Sequence, residues 1–209
     1  MPLNKLVHIV DDDEHVREST AFLLTTEDYT VKTWKSGVVF LEAAQHAQEG
    51  CVLLDIRMPD MDGLEVQEQL RARGSNLPVI MYTEYGDIAA AVKAMRAGAV
   101  TFLEKPVERM DLLDAIRLGF EHLKTRNLQQ ARADRAAQMV AMLSARERDV
   151  LRCLTRGLPN KFIAYDLEIS PRTVEIHRAN LMSKLQVRTL SAALQIALAA
   201  GLDGEPPYA

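Results

Sequence analysis

Asp11, Asp12, Asp55, Thr83 and Lys105 are the side chains of this 209-residue chain whose types and positions could combine into one reaction. Each stands at the end of a short apolar run, and Asp55 closes the most apolar of them, Cys51-Val52-Leu53-Leu54. Several carboxylates brought to one place repel one another unless a cation lies between them, and hard oxygen ligands of this kind suit Mg²⁺. A hydroxyl and an ammonium aimed at the same cluster would hold the oxygens of a phosphoryl group. The chemistry these residues could perform is therefore phosphoryl transfer to or from a carboxylate. Taken singly each has a plainer reading: a turn Asp, a helix-capping Thr, a surface Lys.

The elements that must bring them together can be read from the hydrophobic periodicity. Apolar runs at Leu6 to Val10, Tyr29 to Thr33, Cys51 to Leu54, Pro78 to Tyr82 and Val100 to Leu103 read as strands. Between and after them lie helical patterns: one through Val16, Ala21, Phe22 and Leu24, then Gly37 to Gln48, with Val38, Phe40, Leu41 and Ala44 inward. Leu64 to Arg71, Ala89 to Ala97 and Met110 to Leu123 complete the set. Five strands interleaved with five helices predict an α/β fold, a doubly wound parallel five-stranded sheet of the flavodoxin-like kind, whose compact form has the strand order 2-1-3-4-5. In that order strands one and three are neighbours at the switch point. Asp11 and Asp12 then converge on Asp55, with Thr83 after strand four and Lys105 after strand five on the same edge.

Length allows one or two domains with real cores. No stretch approaches the apolar length of a membrane span, and no signal-peptide pattern opens the chain, so a cytoplasmic protein without membrane contact is expected. Cys51 and Cys153, without Cys-x-x-Cys spacing, read as small core residues. The net charge of −4 hides an asymmetry: residues 1 to 122 carry roughly 21 acidic and 12 basic side chains, residues 123 to 209 about 8 and 13. An acidic first half and a basic second half suggest two domains with different partners.

The motifs of the first 122 residues resemble the receiver domain of two-component response regulators. They are Asp11-Asp12, Leu-Leu-Asp55-Ile-Arg-Met-Pro-x-Met-x-Gly, Thr83, and Phe-Leu-Glu-Lys105-Pro106. The resemblance implies a CheY-like fold in which Asp55 accepts a phosphoryl group from a sensor histidine kinase. It further implies that Asp12 ligates Mg²⁺ directly, Asp11 through water, with Asp55 and the backbone carbonyl of Arg57 completing the protein's share. Thr83 would contact the phosphoryl oxygens and move with Phe102, which turns inward; Lys105 would pair with the phosphate; the Lys105-Pro106 bond would be cis. Asp13 reads as a solvated neighbour. One position departs from the pattern: Glu84, before Tyr85-Gly86, stands where receivers usually carry a small residue, and a carboxylate there is expected to alter phosphorylation kinetics without abolishing them.

Residues 123 to 140 are rich in Ala, Gln and Arg and lack Pro and Gly, which favours a helical linker continuing the last receiver helix, with room to bend near Asn127; an interdomain coiled coil is the less favoured alternative, its heptads being weak. Beyond it, Ser144 and Glu147 make a capping box, Gly157-Leu158-Pro159 ends that helix, Asn160 would cap the next, and Ser170-Pro171 opens a third. Two short helices joined by so tight a turn read as helix-turn-helix. On the helix from Pro171, Val174, His177, Leu181 and Leu185 form the inward stripe, His177 as a packed core residue. The outward faces mix cations, small side chains and hydrogen-bonding groups, which suits a DNA major groove. The final helix, Leu190 to Ala200, is nearly all Ala, Leu and Ile and would bury more than one face; the tail 203 to 209 reads as disordered.

Residues 141 to 202 resemble the LuxR-type domain of the NarL and FixJ response regulators. The matching motifs are Leu-Ser-x-Arg-Glu-x-x-Val-Leu, Gly-Leu-x-Asn-Lys-x-Ile-Ala, and Ser-Pro-Arg-Thr-Val-Glu-x-His-Arg-x-Asn-x-x-x-Lys-Leu. The resemblance implies that Pro171 to Lys184 is the recognition helix, with Glu175, Ile176 and Ala179 toward base edges and Lys161, Arg172, Thr173, Arg178 and Lys184 toward phosphates. A phosphorylation-switched transcription regulator is expected, one that dimerises through its receiver, binds double-stranded promoter DNA and meets RNA polymerase there. It would be no enzyme beyond catalysing its own phosphorylation and dephosphorylation. The rivals are a dehalogenase-type phosphatase, for which a second acid is missing where Arg57 stands, a DNA binder independent of phosphorylation, and a phosphate-sink adaptor.

Overall fold

A computed structural model describes residues 5–44, 48–84 and 87–202. The chain forms two compact units that divide after Arg126. In the first unit the strands β1 (Leu6–Val10), β2 (Thr30–Trp34), β3 (Cys51–Leu54), β4 (Val79–Thr83) and β5 (Thr101–Glu104) form one parallel sheet in the order β2-β1-β3-β4-β5. The helices between and after them are α1 (Glu14–Thr26), α2 (Gly37–Ala44), α3 (Gly63–Ala72), α4 (Ile88–Arg96) and α5 (Arg109–Ala141).

Strand alternation sorts the core into two layers. Val10, Val52, Leu54 and Met81 face Phe40, Val66 and Leu70 of α2 and α3. Val7, Ile9, Cys51, Leu53 and Ile80 face Leu24 of α1 and Leu112 and Ile116 of α5. Because both faces are covered, β1 and β3 are buried at every residue, which is why they read as unbroken apolar runs. Each fully buried Leu or Ile contributes roughly 2 kcal/mol, so the central strands are the most strongly anchored part of the unit. Within this layer Cys51 is packed against α5, and burial pushes its thiol up to about 12, an inert core residue as expected.

Several details differ from the sequence reading. Phe22 is 74% exposed, because α1 meets the sheet through Thr20 and Leu24 and one helix cannot present a second apolar face to it. Val38 lies outside the core as well, since α2 packs through Phe40 and Leu41. The expected reach of α2 toward Gln48 crosses residues 45–47, outside the described residues. Thr83 is the last residue of β4 instead of the first after it. The helix from Arg109 is one element through Ala141, with no break at Asn127, as the absence of Gly and Pro from residues 123 to 140 permits.

One buried polar group ties the sheet edge. His8 on β1 is fully buried; Trp34 Nε1 donates to its Nδ1 at 3.2 Å, and its Nε2 lies 3.1 Å from the Gln48 carbonyl oxygen. Nδ1 must therefore accept and Nε2 must carry the proton, a neutral imidazole. Burial lowers its pKa to match.

The second unit holds α6 (Ala145–Thr155), α7 (Asn160–Asp166), α8 (Pro171–Lys184) and α9 (Leu190–Ala199). The Ser144–Glu147 capping box opens α6, and Val150, Leu151, Leu154, Ile163, Val174, Leu181 and Leu185 make the core. Asn160 is not the cap of α7: Pro159 holds that position with no side-chain hydrogen bond, and Asn160 is the first helical residue. The turn into α8 passes through Glu168 in the left-handed region (φ 53°), and Ser170 caps α8 through the Thr173 amide. On α9, Ala193 and Ala197 are buried while Leu198 is 56% exposed. The tail 203–209 lies outside the described residues.

Candidate phosphoryl site and nucleic-acid interface

The carboxyl edge of the sheet carries the first site. β1 delivers Asp11, β3 delivers Asp55, β4 ends on Thr83, and Lys105 follows β5. Gly63 allows the loop after Asp55 to fold back: a Cβ there would stand 2.0 Å from the Asp55 carbonyl oxygen, so no larger residue fits. Its amide donates to the Ile56 carbonyl at 2.7 Å, closing the loop that carries Arg57.

Lys105 Nζ lies 2.6 Å from Asp11 Oδ2 and 3.0 Å from Asp55 Oδ1, with all three side chains more than nine-tenths buried. The Lys105-Pro106 bond is cis. Thr83 is fully buried, and its hydroxyl helps to lower the Asp55 pKa. Burial raises the Asp55 pKa and Asp11 adds to the rise, against the opposing pull of Lys105 and Thr83. For Lys105, burial alone would lower the pKa, but the hydrogen bonds and charges of Asp11 and Asp55 hold it above the usual value. Asp12 is exposed. A cleft of about 280 Å³ opens onto this cluster, lined by Asp11, Asp12, Asp13, Asp55, Arg57, Glu84 and Lys105 among others.

Among the described residues no three acidic side chains are gathered closely enough to hold a metal by themselves, because Lys105 lies between Asp11 and Asp55. Mg²⁺ does not need three. It binds through one or two carboxylates, keeps several waters and takes phosphate oxygens, and the buried Asp11 beside exposed Asp12 at a polar cleft fits that donor set.

Three contacts were not legible in advance. Arg17 Nη1 donates to the carbonyls of both Asp11 and Asp12 at 2.8 Å, fixing the loop that presents them. Asp13 is the N-cap of α1, accepting from the His15 and Val16 amides, so it is committed to the backbone. Lys105 also sits over the Tyr82 ring, 4.9 Å from its centroid. Phe102 is half-buried against the core. Glu84 is exposed on the cleft rim; Tyr85 and Gly86 lie outside the described residues.

The second site is the outer face of α7 and α8. Lys161, Arg172, Glu175 and Ala179 are exposed, Ile176 is half-exposed, and His177 is half-buried. Arg172 Nη1 pairs with Glu175 Oε2 at 3.1 Å on the surface, and the Thr173 hydroxyl meets Ser170 Oγ at 2.8 Å. Arg178 Nη1 donates to Asn160 Oδ1 at 2.5 Å, which gives Asn160 a tertiary role in place of the expected cap. Lys184, expected near phosphates, is half-exposed and also carries an ion pair: its ammonium is 2.7 Å from Glu147 Oε2, whose side chain is 5% exposed. Burial would raise the Glu147 pKa, but Lys184 and the Ser144 cap bring it below the ordinary value. A buried carboxylate needs that cation, so Lys184 holds α8 to α6.

Residues 7–117 match the response regulator receiver domain family, and residues 141–197 match the luxR family of bacterial regulatory proteins. The chain belongs to the response regulators that join a receiver to a LuxR-type helix-turn-helix domain, and it is a phosphorylation-dependent transcription regulator of the NarL/FixJ type. Its sequence is 44% identical to the transcriptional regulatory protein FixJ of Azorhizobium caulinodans over 97% of this chain and 96% of that one. It is 46% identical to FixJ of Rhizobium meliloti over 93% and 96% respectively. Among solved structures it resembles the response regulator StyR (TM-score 0.74, 42% identity, 93% of this chain and 98% of that one). Full-length FixJ from B. japonicum is similar too (TM-score 0.59, 39% identity, 95% and 98%). The receiver implies a sensor kinase partner and the LuxR-type domain implies DNA. Among the described residues no helix is long and apolar enough to cross a membrane.

Proposed function

We propose that Asp55 is the phosphoryl acceptor and that its phosphorylation converts the chain from a monomer into a promoter-binding dimer in the cytoplasm. The observation that carries this reading is the buried Asp11–Lys105–Asp55 arrangement at an open cleft. An Asp55 oxygen attacks phosphorus, the bond from phosphorus to the kinase imidazole breaks, and its electron pair stays with the imidazole. Lys105 neutralises the charge gathered by the phosphoryl oxygens, and Thr83 donates to one of them. Asp12, Asp11 through water, Asp55 and the Arg57 carbonyl would hold Mg²⁺. Bound there, it supplies the positive charge that lets an anionic carboxylate meet an anionic donor. The protein is a switch that catalyses only its own phosphorylation and dephosphorylation, with Glu84 on the rim tuning donor approach.

Thr83, drawn toward a phosphoryl oxygen, leaves room for half-buried Phe102 to turn inward, which alters the face made by α4, β5 and α5. Ile88, Val92 and Met95 of α4 and Leu118 of α5 are exposed apolar side chains there, a surface that favours dimerisation. Two paired helix-turn-helix units then read a two-fold site. Glu175, Ile176 and Ala179 lie toward base edges, Lys161, Arg172, Thr173 and Arg178 toward phosphates, and the bound dimer meets RNA polymerase.

Intact mass and light scattering with a small-molecule phosphodonor and Mg²⁺ test the reading. Wild type is expected to gain one phosphoryl group and to dimerise; Asp55→Asn is expected to do neither. An adduct retained in Asp55→Asn overturns the assignment.

A further inference from the structure

Two carboxylates and one aromatic ring hold Lys105. Its amide donates to the Thr83 carbonyl at 2.9 Å, which fixes its backbone to the end of β4. Tyr82 of β4 pairs with Leu103 of β5, and two residues further along a strand the side chain returns to the same face. The Lys105 side chain therefore leaves over the Tyr82 ring, with Nζ 4.9 Å from the ring centroid. Thr83 and Phe102 point to the other face of the same two strands.

An ammonium has three N–H donors and no acceptor. Asp11 Oδ2 at 2.6 Å and Asp55 Oδ1 at 3.0 Å take two of them, and the electron-rich face of Tyr82 lies beside the same nitrogen. The Lys105 side chain is 8% exposed, so little water competes, and a cation over a ring gains most when it is desolvated. An aliphatic side chain in place of Tyr82 would offer only hydrocarbon. The ring also differs from the carboxylates in its fate. Asp55 gives an oxygen to phosphorus and ceases to be a carboxylate, whereas the ring is unchanged by the reaction.

We propose that Tyr82 is a positioning residue for phosphoryl transfer, its ring holding the Lys105 ammonium beside Asp55 while the charges around it change. The inference rests on the reading of Asp55 as the acceptor. Tyr82 forms no bond and moves no proton, and its hydroxyl has no part in the role.

Phosphorylation rates of the full chain with acetyl phosphate and Mg²⁺, followed by intact mass, test the proposal. In that reaction an Asp55 oxygen bonds to phosphorus, and acetate leaves with the electron pair of the broken phosphorus–oxygen bond. Tyr82→Leu is expected to slow it about ten-fold, and Tyr82→Phe, which keeps the ring, to stay within about two-fold of wild type. Fluorine withdraws electron density from the ring face at almost constant shape. Tyr82→Phe carrying one, two and three ring fluorines is therefore expected to react more slowly at each step, whereas a role in packing alone would leave the series level. Proton NMR adds a readout that needs no phosphorylation: the Lys105 ε-methylene protons are expected upfield of those of exposed lysines and to return in Tyr82→Leu. The proposal is overturned if the fluorinated series reacts at one rate, if Tyr82→Phe is as slow as Tyr82→Leu, or if Lys105 shows no upfield shift. A wild type that gains no phosphoryl group, or an adduct retained in Asp55→Asn, overturns the reading of Asp55 and this role with it. The upfield shift then persists, which tells the two failures apart.

Discussion

The two sites use charge in opposite ways. At the sheet edge, three charged side chains are buried together and come from segments far apart in sequence, so their placement depends on the whole sheet. On α7 and α8 the charges are exposed or half-buried, come from two neighbouring helices, and are held by single contacts such as Arg172 to Glu175 within α8 and Arg178 to Asn160 between the helices. Buried charges in a low dielectric interact strongly, so two carboxylates that share one cation depend on it, whereas exposed charges act singly and are screened by salt. One surface is built to change state when a single group is added. The other is built to sum many weak contacts along a polyanion.

The largest effect that would test this contrast is expected from Lys105→Met. It leaves Asp11 and Asp55 facing each other unpaired, at a cost of about 3 kcal/mol, measurable as a lower urea midpoint of the first unit. A cost no larger than that of a surface substitution would show the pair to be solvated and would break the comparison. On the other surface, Arg172→Gln is expected to reduce the slope of log affinity against log salt by about one, with little change in stability. Arg178→Gln should do the same. An unchanged slope would remove these residues from the phosphate contacts.

The smallest effect sharpens the point through pH. The Asp55 pKa is raised in the folded protein, mainly by burial. Between the ordinary carboxylate value and the raised one, the folded state holds more protons than the unfolded state, so stability falls as pH rises through that window. Asp55→Asn removes this fall. The variant is expected to be more stable than wild type at neutral pH and to lose that advantage below about pH 4. Equal midpoints at neutral pH would mean that Lys105 fully offsets the burial.

The receiver site was legible because its chemistry sits on strand ends, and strand ends are marked by where apolar runs stop. The sheet order followed from the alternation of elements, and it is the order that places Asp11 next to Asp55. What escaped were contacts with no periodicity. Arg17 reaching back to two carbonyls, Tyr82 under Lys105, and Gln67 on Ala94 are tertiary pairings whose residue types look like ordinary surface. Asn160 was misread as a cap, and the partner of Lys184 was missed, for a related reason. An Asn at a helix start and a Lys at a helix end each have a common local role, and here each is taken by a partner on another helix. Phe22 shows the converse error, since an apolar residue in a helical pattern need not face the sheet when Leu24 already fills that place.

Trp34 is the single tryptophan of the chain, and its indole is fixed to the imidazole of His8. Intrinsic fluorescence excited at the indole therefore observes the receiver alone, while circular dichroism is dominated by helices of both units. A denaturation followed by the two signals separates the unfolding of one unit from the other without any label. His8 lies on the same strand that ends in front of Asp11, so the same emission offers an optical gauge of strain reaching the sheet edge when the acceptor is charged.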